Sequence, residues 1–215
     1  MDEVIAAYVH VVGGMDVIDG ITTREVSGAV HRGPKLQYFW QAPNKVLLIK
    51  KREKIGYDGG SGWEVSRKKK VRHLPGGAEI ILEMDANPLR YAHLRSLYSD
   101  LSLAPRETLN DRPADVLVAP NKIGSTKLYY DAETHLLVKI EETGEVSAYY
   151  KNTTEFMDYK QTDGTQFPFR IVHTTTAPGS DKEDFRIGKV VNNVSLKPAI
   201  FSKPESSATV FGGKR

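Results

Sequence analysis

Six histidines are the residues best suited to acid–base or metal chemistry in this sequence, and their spacing supports neither. His10, His31, His73, His93, His135 and His173 are scattered, with no pair at the i, i+4 spacing that sets two imidazoles on one helix face. Scattered surface histidines are the expected outcome. The segment Tyr57-Asp-Gly-Gly-Ser-Gly-Trp63 is rich in glycine but lies between strand-like runs. A phosphate cradle needs a helix N-terminus after the glycines, so a hairpin turn is expected instead. No Gly-x-Ser-x-Gly elbow, Walker loop or Gly-x-Gly-x-x-Gly opening a helix is present. Asp58, Asp131 and Asp163 sit at turns, where side-chain bonding to the backbone explains them. The chain has no cysteine, so disulfides and thiolate chemistry are excluded. The pattern predicts no catalytic residue, no metal site and no cofactor. A hydrolase would require scattered His, Asp and Ser or Glu to converge in a cleft.

Charge points to surfaces instead. Twelve Lys or Arg and three acids lie between Arg32 and Arg72, a local excess of +9 that the net charge of +3 conceals. One reading is a solvated pair of edge strands, since Lys discourages edge pairing. Another is contact with an anionic membrane surface through Lys68, Lys69, Lys70 and Arg72, where Trp40, Tyr57 and Trp63 would suit an interface. A third is nucleic acid, but no RNP-type motif accompanies the basic strands, so no nucleic-acid partner is expected.

Strands must position these residues. Asp163-Gly164 is a strong hairpin signal, because Gly adopts tight-turn torsions at little cost. After it, Phe167, Phe169 and Ile171 recur at every second position, the period of a strand with one buried face. Alternation or short apolar runs predict further strands over 22–31, 36–40, 46–49, 55–63 (interrupted by the glycine turn), 65–74, 106–110, 114–119, 125–130, 136–140, 146–150 and 185–191. Turns are expected at 143–144 and 177–180. Short strands between turn signals argue for an antiparallel meander. Helical spacing appears over 2–12, stopped by Gly13-Gly14, and over 77–86 and 88–100.

With 215 residues, 40% hydrophobic and 27% charged, the chain suits a globular domain. No repeat or linker divides it. One domain is expected over 1–205, with a flexible tail at 206–215. No apolar run approaches the roughly 18 residues needed to span a bilayer. The N-terminus lacks the basic-then-apolar pattern of a signal peptide, which suits a cytoplasmic chain, a mature form or a domain of something larger.

The fold class expected is α+β: a long antiparallel β-sheet that must curl, with helices covering the concave face. Runs 36–40, 46–49 and 136–140 carry apolar residues on both sides. The helices either fill the concave side or leave an apolar hollow, and both remain open. In the hollow case, the lining expected is Tyr38, Trp40, Leu47, Ile49, Trp63, Ile81, Leu82, Leu94, Leu97, Leu136 and Val138, acting through dispersion and burial. A filled core would suit a protein-interaction or envelope-sensor domain, possibly part of a larger secreted protein. The sequence sets no oligomeric state.

The order of these segments resembles a known superfamily. An N-terminal helix ends in Gly-Gly, and a strand follows over 24–30. Then come Tyr-Phe-Trp-Gln-Ala-Pro-Asn-Lys at 38–45, Gly-Tyr-Asp-Gly-x-x-Gly-Trp at 56–63, a helical insertion, and Leu-Tyr-Tyr-Asp-x-x-Thr-x-Leu-Leu at 128–137. Tyr-Lys-x-x-Asp-Gly-x-x-Phe-Pro-Phe at 159–169 completes the series. Over roughly residues 2–200 this is similar to the LolA/LolB-like superfamily of outer-membrane lipoprotein-sorting proteins, in a divergent bacterial branch. The resemblance implies a strongly curved antiparallel β-sheet, an unclosed half-barrel, with helices covering the concave face as a lid. Its hollow would take the acyl chains of a lipid or acylated protein, or serve as a sensor or partner-binding surface. It also implies no catalysis, and a periplasmic or envelope location behind a removed signal peptide.

Overall fold

A computed structural model describes residues 1–121, 124–144, 151–176 and 182–205. Two helices open the chain, α1 (Asp2–Val11) and α2 (Met15–Asp19). Six strands follow: β1 (Thr23–Val30), β2 (Lys35–Gln41), β3 (Lys45–Lys50), β4 (Glu53–Tyr57), β5 (Gly62–Val65) and β6 (Val71–His73). A helical segment comes next, with α3 (Gly76–Asp85), a 3₁₀ turn (Arg90–Ala92) and α4 (Leu94–Leu97). The second series is β7 (Ser102–Leu109), β8 (Arg112–Asn121), β9 (Gly124–Asp131), β10 (Leu137–Gly144), β11 (Lys151–Thr162), β12 (Thr165–Thr175) and β13 (Glu183–Asn192). A last 3₁₀ turn spans Pro198–Phe201.

All strands join one antiparallel sheet in the order β6-β5-β4-β3-β2-β1-β13-β12-β11-β10-β9-β8-β7. Each half is a meander. The helical segment carries the chain from the β6 edge to the β7 edge, and the second meander returns until β13 pairs with β1, Arg24 opposite Asn192 and Val30 opposite Phe185. The two edges do not meet, so the sheet is an unclosed half-barrel. Its tightest turns are primed: Asn110 and Asp111, and Asp163 and Gly164, all have positive φ, matching the right-handed twist of the strands they join.

Three elements differ from the sequence expectation. The strand expected over 65–74 is a hairpin, with Ser66–Lys70 as its turn and Lys69 at φ 60°. Five successive polar residues have no face to bury, so the ladder breaks there. The helix expected over 88–100 divides at His93, whose φ of −110° leaves the helical region. Thr143 and Gly144 are not a turn; β10 runs through them, with Gly144 opposite Gly124. The run expected at 146–150, the turn at 177–180 and the tail at 206–215 lie outside the described residues.

The helices sit on the inner face. Ile5 and Tyr8 of α1 pack with Leu94, Leu117, Leu128, Tyr130 and Ile140, and the Tyr8 and Tyr130 rings meet edge-on at 5.3 Å. Gly14 closes α1 by donating its N–H to the Val9 carbonyl at 2.8 Å. Over the other half of the sheet, Leu82 of α3 and Ala86 just after it pack on Val46 and Tyr57. Trp40 Nε1 donates to the Ala86 carbonyl at 2.7 Å, and the Gly62 N–H donates to Glu79 Oε1 at 2.6 Å.

The outer face has its own cover. The C-terminal strap lays Phe201 over Leu47 and Trp63. Beyond it, a polar clasp seals β9 to β11. Tyr129 Oη donates to Glu141 Oε2 at 3.0 Å, and Lys139 and Lys151 pair with Glu141 at 2.5 and 2.7 Å. Partial burial pushes the Glu141 carboxyl up, but the hydrogen bonds from Lys139, Lys151 and Tyr129 outweigh it and hold its pKa down to about 2. A carboxyl depressed in the folded state stabilises above its unfolded pKa, and that contribution is lost as pH falls through the folded value. Melting curves at pH 7 and pH 3 should therefore show a smaller acid-induced drop for Glu141→Gln than for the parent protein. Equal drops would remove Glu141 from the account.

Candidate functional site

A hollow of about 660 Å³ lies between the inner face and the helices, within the range of pockets that hold small molecules. Strand parity builds it. On β1 to β3 the inward positions supply Val26, Leu36, Tyr38 and Leu48. On β11 to β13 they supply Phe156, Phe167, Ile171, Phe185 and Ile187. Phe156, Ile171 and Phe185 stand opposite one another across β11, β12 and β13, forming a continuous apolar floor. A register irregularity between Leu137 and Lys139 lets both Leu137 and Ile140 contribute from β10. The roof is Tyr8, Val12, Ile18 and Leu89.

The hollow has two unlike ends. At one, Val12, Ile18, Ile21, Arg24 and Thr165 are all buried. At the other, Glu142, Asn152, Thr154 and His173 are half-buried, with Thr154 Oγ1 and His173 Nδ1 3.2 Å apart. The Tyr8 and Tyr159 phenols in the wall stay neutral at physiological pH. Burial pushes Tyr8 up to about 12 and also raises Tyr159, whose Oη donates to the Leu137 carbonyl at 2.6 Å. Among the described residues no three or more of His, Asp or Glu converge as a metal cluster.

Of the expected lining residues, Tyr38 lies in the wall. Trp40 is on the same face but buried under Ala86. Leu47, Ile49 and Trp63 face outward beneath the strap, and Val138 packs outward with Ala114, Val116 and Tyr129. Leu82 fills the space under α3. Leu94 is in the core below α1, and Leu136 packs beside Val12 and Ile18. Leu97 is 49% exposed. The Ile81 side chain lies outside the described residues. The reason is parity: a shift of one residue moves a strand's whole apolar set to the other face. Where both faces of β3 are apolar, Val46 and Leu48 against Leu47 and Ile49, alternation cannot choose between them. Phe167 and Ile171 were within reach of the sequence, because their period was already visible.

The basic residues gather at one end. Antiparallel pairing places the turns at 31–34, 51–52 and 66–70 together. The pairings Val30 with Phe185 and His173 with Glu183 put the half-buried end of the hollow on that same side. Arg32, Lys51, Arg52, Lys68, Lys69 and Lys70 are exposed there. Arg72, also exposed, is paired to Glu64 at 2.7 Å.

The sequence matches no protein-family profile and no curated protein. The fold does have solved counterparts. A DUF1329 family protein from Desulfovibrio piger superposes with a TM-score of 0.64 at 12% identity, covering 94% of this chain and 96% of that one. A LolA superfamily protein from Nitrosomonas europaea gives 0.60 at 12% identity, covering 94% and 97%. A domain named for outer-membrane lipoprotein sorting, from Vibrio parahaemolyticus, gives 0.56 at 13% identity, covering 84% and 87%. The chain therefore has the LolA-like fold in a divergent form.

Proposed function

We propose that this protein is a non-enzymatic carrier or binder of lipid-like ligands, taking an acyl chain of a lipid or acylated protein into the hollow, in the periplasm or cell envelope. The observation that carries this reading is the apolar hollow of about 660 Å³ with its aromatic floor. A domain with a filled core, the alternative open from the sequence, fits a hollow of this size poorly. The fold is one used by proteins named for lipoprotein sorting, which agrees with the reading. Titration of an environment-sensitive fluorescent fatty acid should give saturable binding, displaced by a synthetic acylated peptide and not by the same peptide without its chain. A lack of saturation, or equal displacement by both peptides, counts against it.

The basic end gives the carrier a way to meet its source. Lys68, Lys69 and Lys70 are exposed on the β5–β6 turn, on the same side of the sheet as the half-buried end of the hollow. Docked on an anionic surface, they would bring that end against the lipid. Each Lys near such a surface contributes about 1 kcal/mol. Replacing all three by Gln should then weaken sedimentation with phosphatidylserine-containing vesicles by about a hundredfold at low salt. Binding to purely zwitterionic vesicles should be unaffected. Equal sedimentation of both proteins would remove the membrane contact.

A further inference from the structure

Arg24 projects from β1 into the wall at the buried end of the hollow and is only 6% exposed. Its Nε donates to Asn192 Oδ1 at 2.7 Å, and its Cζ lies 5.1 Å from the centre of the Phe167 ring. Among the described residues it has no ion pair, and no hydrogen bond engages its two terminal nitrogens. Asp163 attracts it only from a distance; the Asp163 carboxylate accepts instead from the Asn192 N–H at 2.6 Å. Burial pulls the guanidinium pKa down, yet an arginine keeps its proton. A buried cation with no counter-ion in contact with it is costly, and proteins rarely tolerate one.

What faces this cation is the hollow. Tyr8 stands in the same wall and feels its charge, and a neutral phenol can donate to an anion. The charges around the hollow are Arg24 and Arg90 against one carboxylate, Glu142, which lies at the half-buried end. Arg90 stacks on Tyr91, with 4.6 Å from Cζ to the ring centre. The lining therefore carries a net positive charge deep in an apolar wall, and its guanidinium fork matches a carboxylate or phosphate in shape.

We propose that the buried end of the hollow is an oxyanion site, in which Arg24, assisted by Tyr8, holds the carboxylate or phosphate head of a single-chain amphiphile. The inference rests on the carrier reading and names its ligand class. From the level of Phe167 to that of His173 the floor runs six residues, about 20 Å of strand. At ~30 Å³ for each water-sized group, the volume holds roughly twenty, one chain with its head rather than several chains. The head leads and the tail follows along Ile171 and Phe156, the order expected when an amphiphile leaves a membrane whose surface displays its heads.

The test compares palmitic acid with 1-hexadecanol, which share a chain and differ in charge. The parent protein should bind the acid more tightly by about tenfold or more. Arg24→Gln should bind both alike, and Arg24→Lys should keep part of the preference. A second pair, lysophosphatidic acid and lysophosphatidylcholine, separates the two head chemistries: preference for the monoester phosphate assigns phosphate, and its absence beside a preference for palmitate assigns carboxylate. Equal binding of acid and alcohol by the parent protein would overturn the oxyanion site and leave the carrier reading standing. Binding of neither would overturn both. The parent comparison requires no variant, so it decides even if Arg24→Gln fails to fold; a folded Arg24→Gln that retains the preference also overturns the site.

Discussion

Ile171→Trp should abolish most of the protein's affinity for apolar ligands while leaving it folded. Ile171 is at the middle of the floor, between Phe156 and Phe185 on the neighbouring strands. An indole there projects into open space rather than into packed side chains, because the hollow already supplies the room. The ordinary penalty for overfilling a core therefore does not apply. The ligand bears the loss instead. Each buried methylene contributes about 0.8 kcal/mol, so excluding only two costs ~1.6 kcal/mol, more than tenfold in affinity. Fluorescence titration gives the affinity, and thermal melting shows whether the fold survives. Unchanged affinity with an unchanged melting temperature would mean that ligand binds elsewhere.

Trp63→Ala should have the opposite signature, with stability falling and the intrinsic site of the folded fraction preserved. Trp63 is 1% exposed and packs with Leu47 and Phe201 on the outer face. Its Nε1 donates to the Phe201 carbonyl at 2.8 Å, which fastens the C-terminal strap to the sheet. Gly56 is its platform: a Cβ there would lie 2.4 Å from the Trp63 ring, so the indole rests directly on backbone. Truncating a buried Trp costs about 3–5 kcal/mol. For a chain of this size that lowers the melting temperature on the order of 10 °C. Binding measured well below the new transition should be close to the parent's. Lost binding without lost stability would place Trp63 in the hollow after all.

The contrast between these two residues shows what the sequence could convey. Both lie on strands read correctly as strands. The hairpin around Asp163-Gly164, the period of Phe167 and Ile171, and the antiparallel meander were legible because alternation with one apolar face has one physical solution. The half-barrel class came from the order of the segments and the family it resembles. Leu47, Ile49 and Trp63 were not, because β3 and β5 are covered on both sides, by α3 within and the strap without. Their alternation is blind to which side is hollow. Leu137 and Ile140 were hidden for another reason: the irregularity in β10 breaks the period that would have revealed them. Arg24 was invisible as a site residue, since a lone arginine in a strand signals nothing until its neighbours in space are known. The basic excess was plain from composition, but its gathering at one end of the sheet depends on antiparallel turns stacking on the same side.

The most direct test of the account is to purify the protein under native conditions, from the envelope fraction of a bacterial host, and weigh it intact by mass spectrometry before and after solvent extraction. The account predicts an added mass of one lipid-like ligand, released by the solvent and absent from Ile171→Trp prepared in parallel. A parent protein that carries no such mass, and that stays unloaded after incubation with fatty acids, lysophospholipids and acylated peptide, would contradict it.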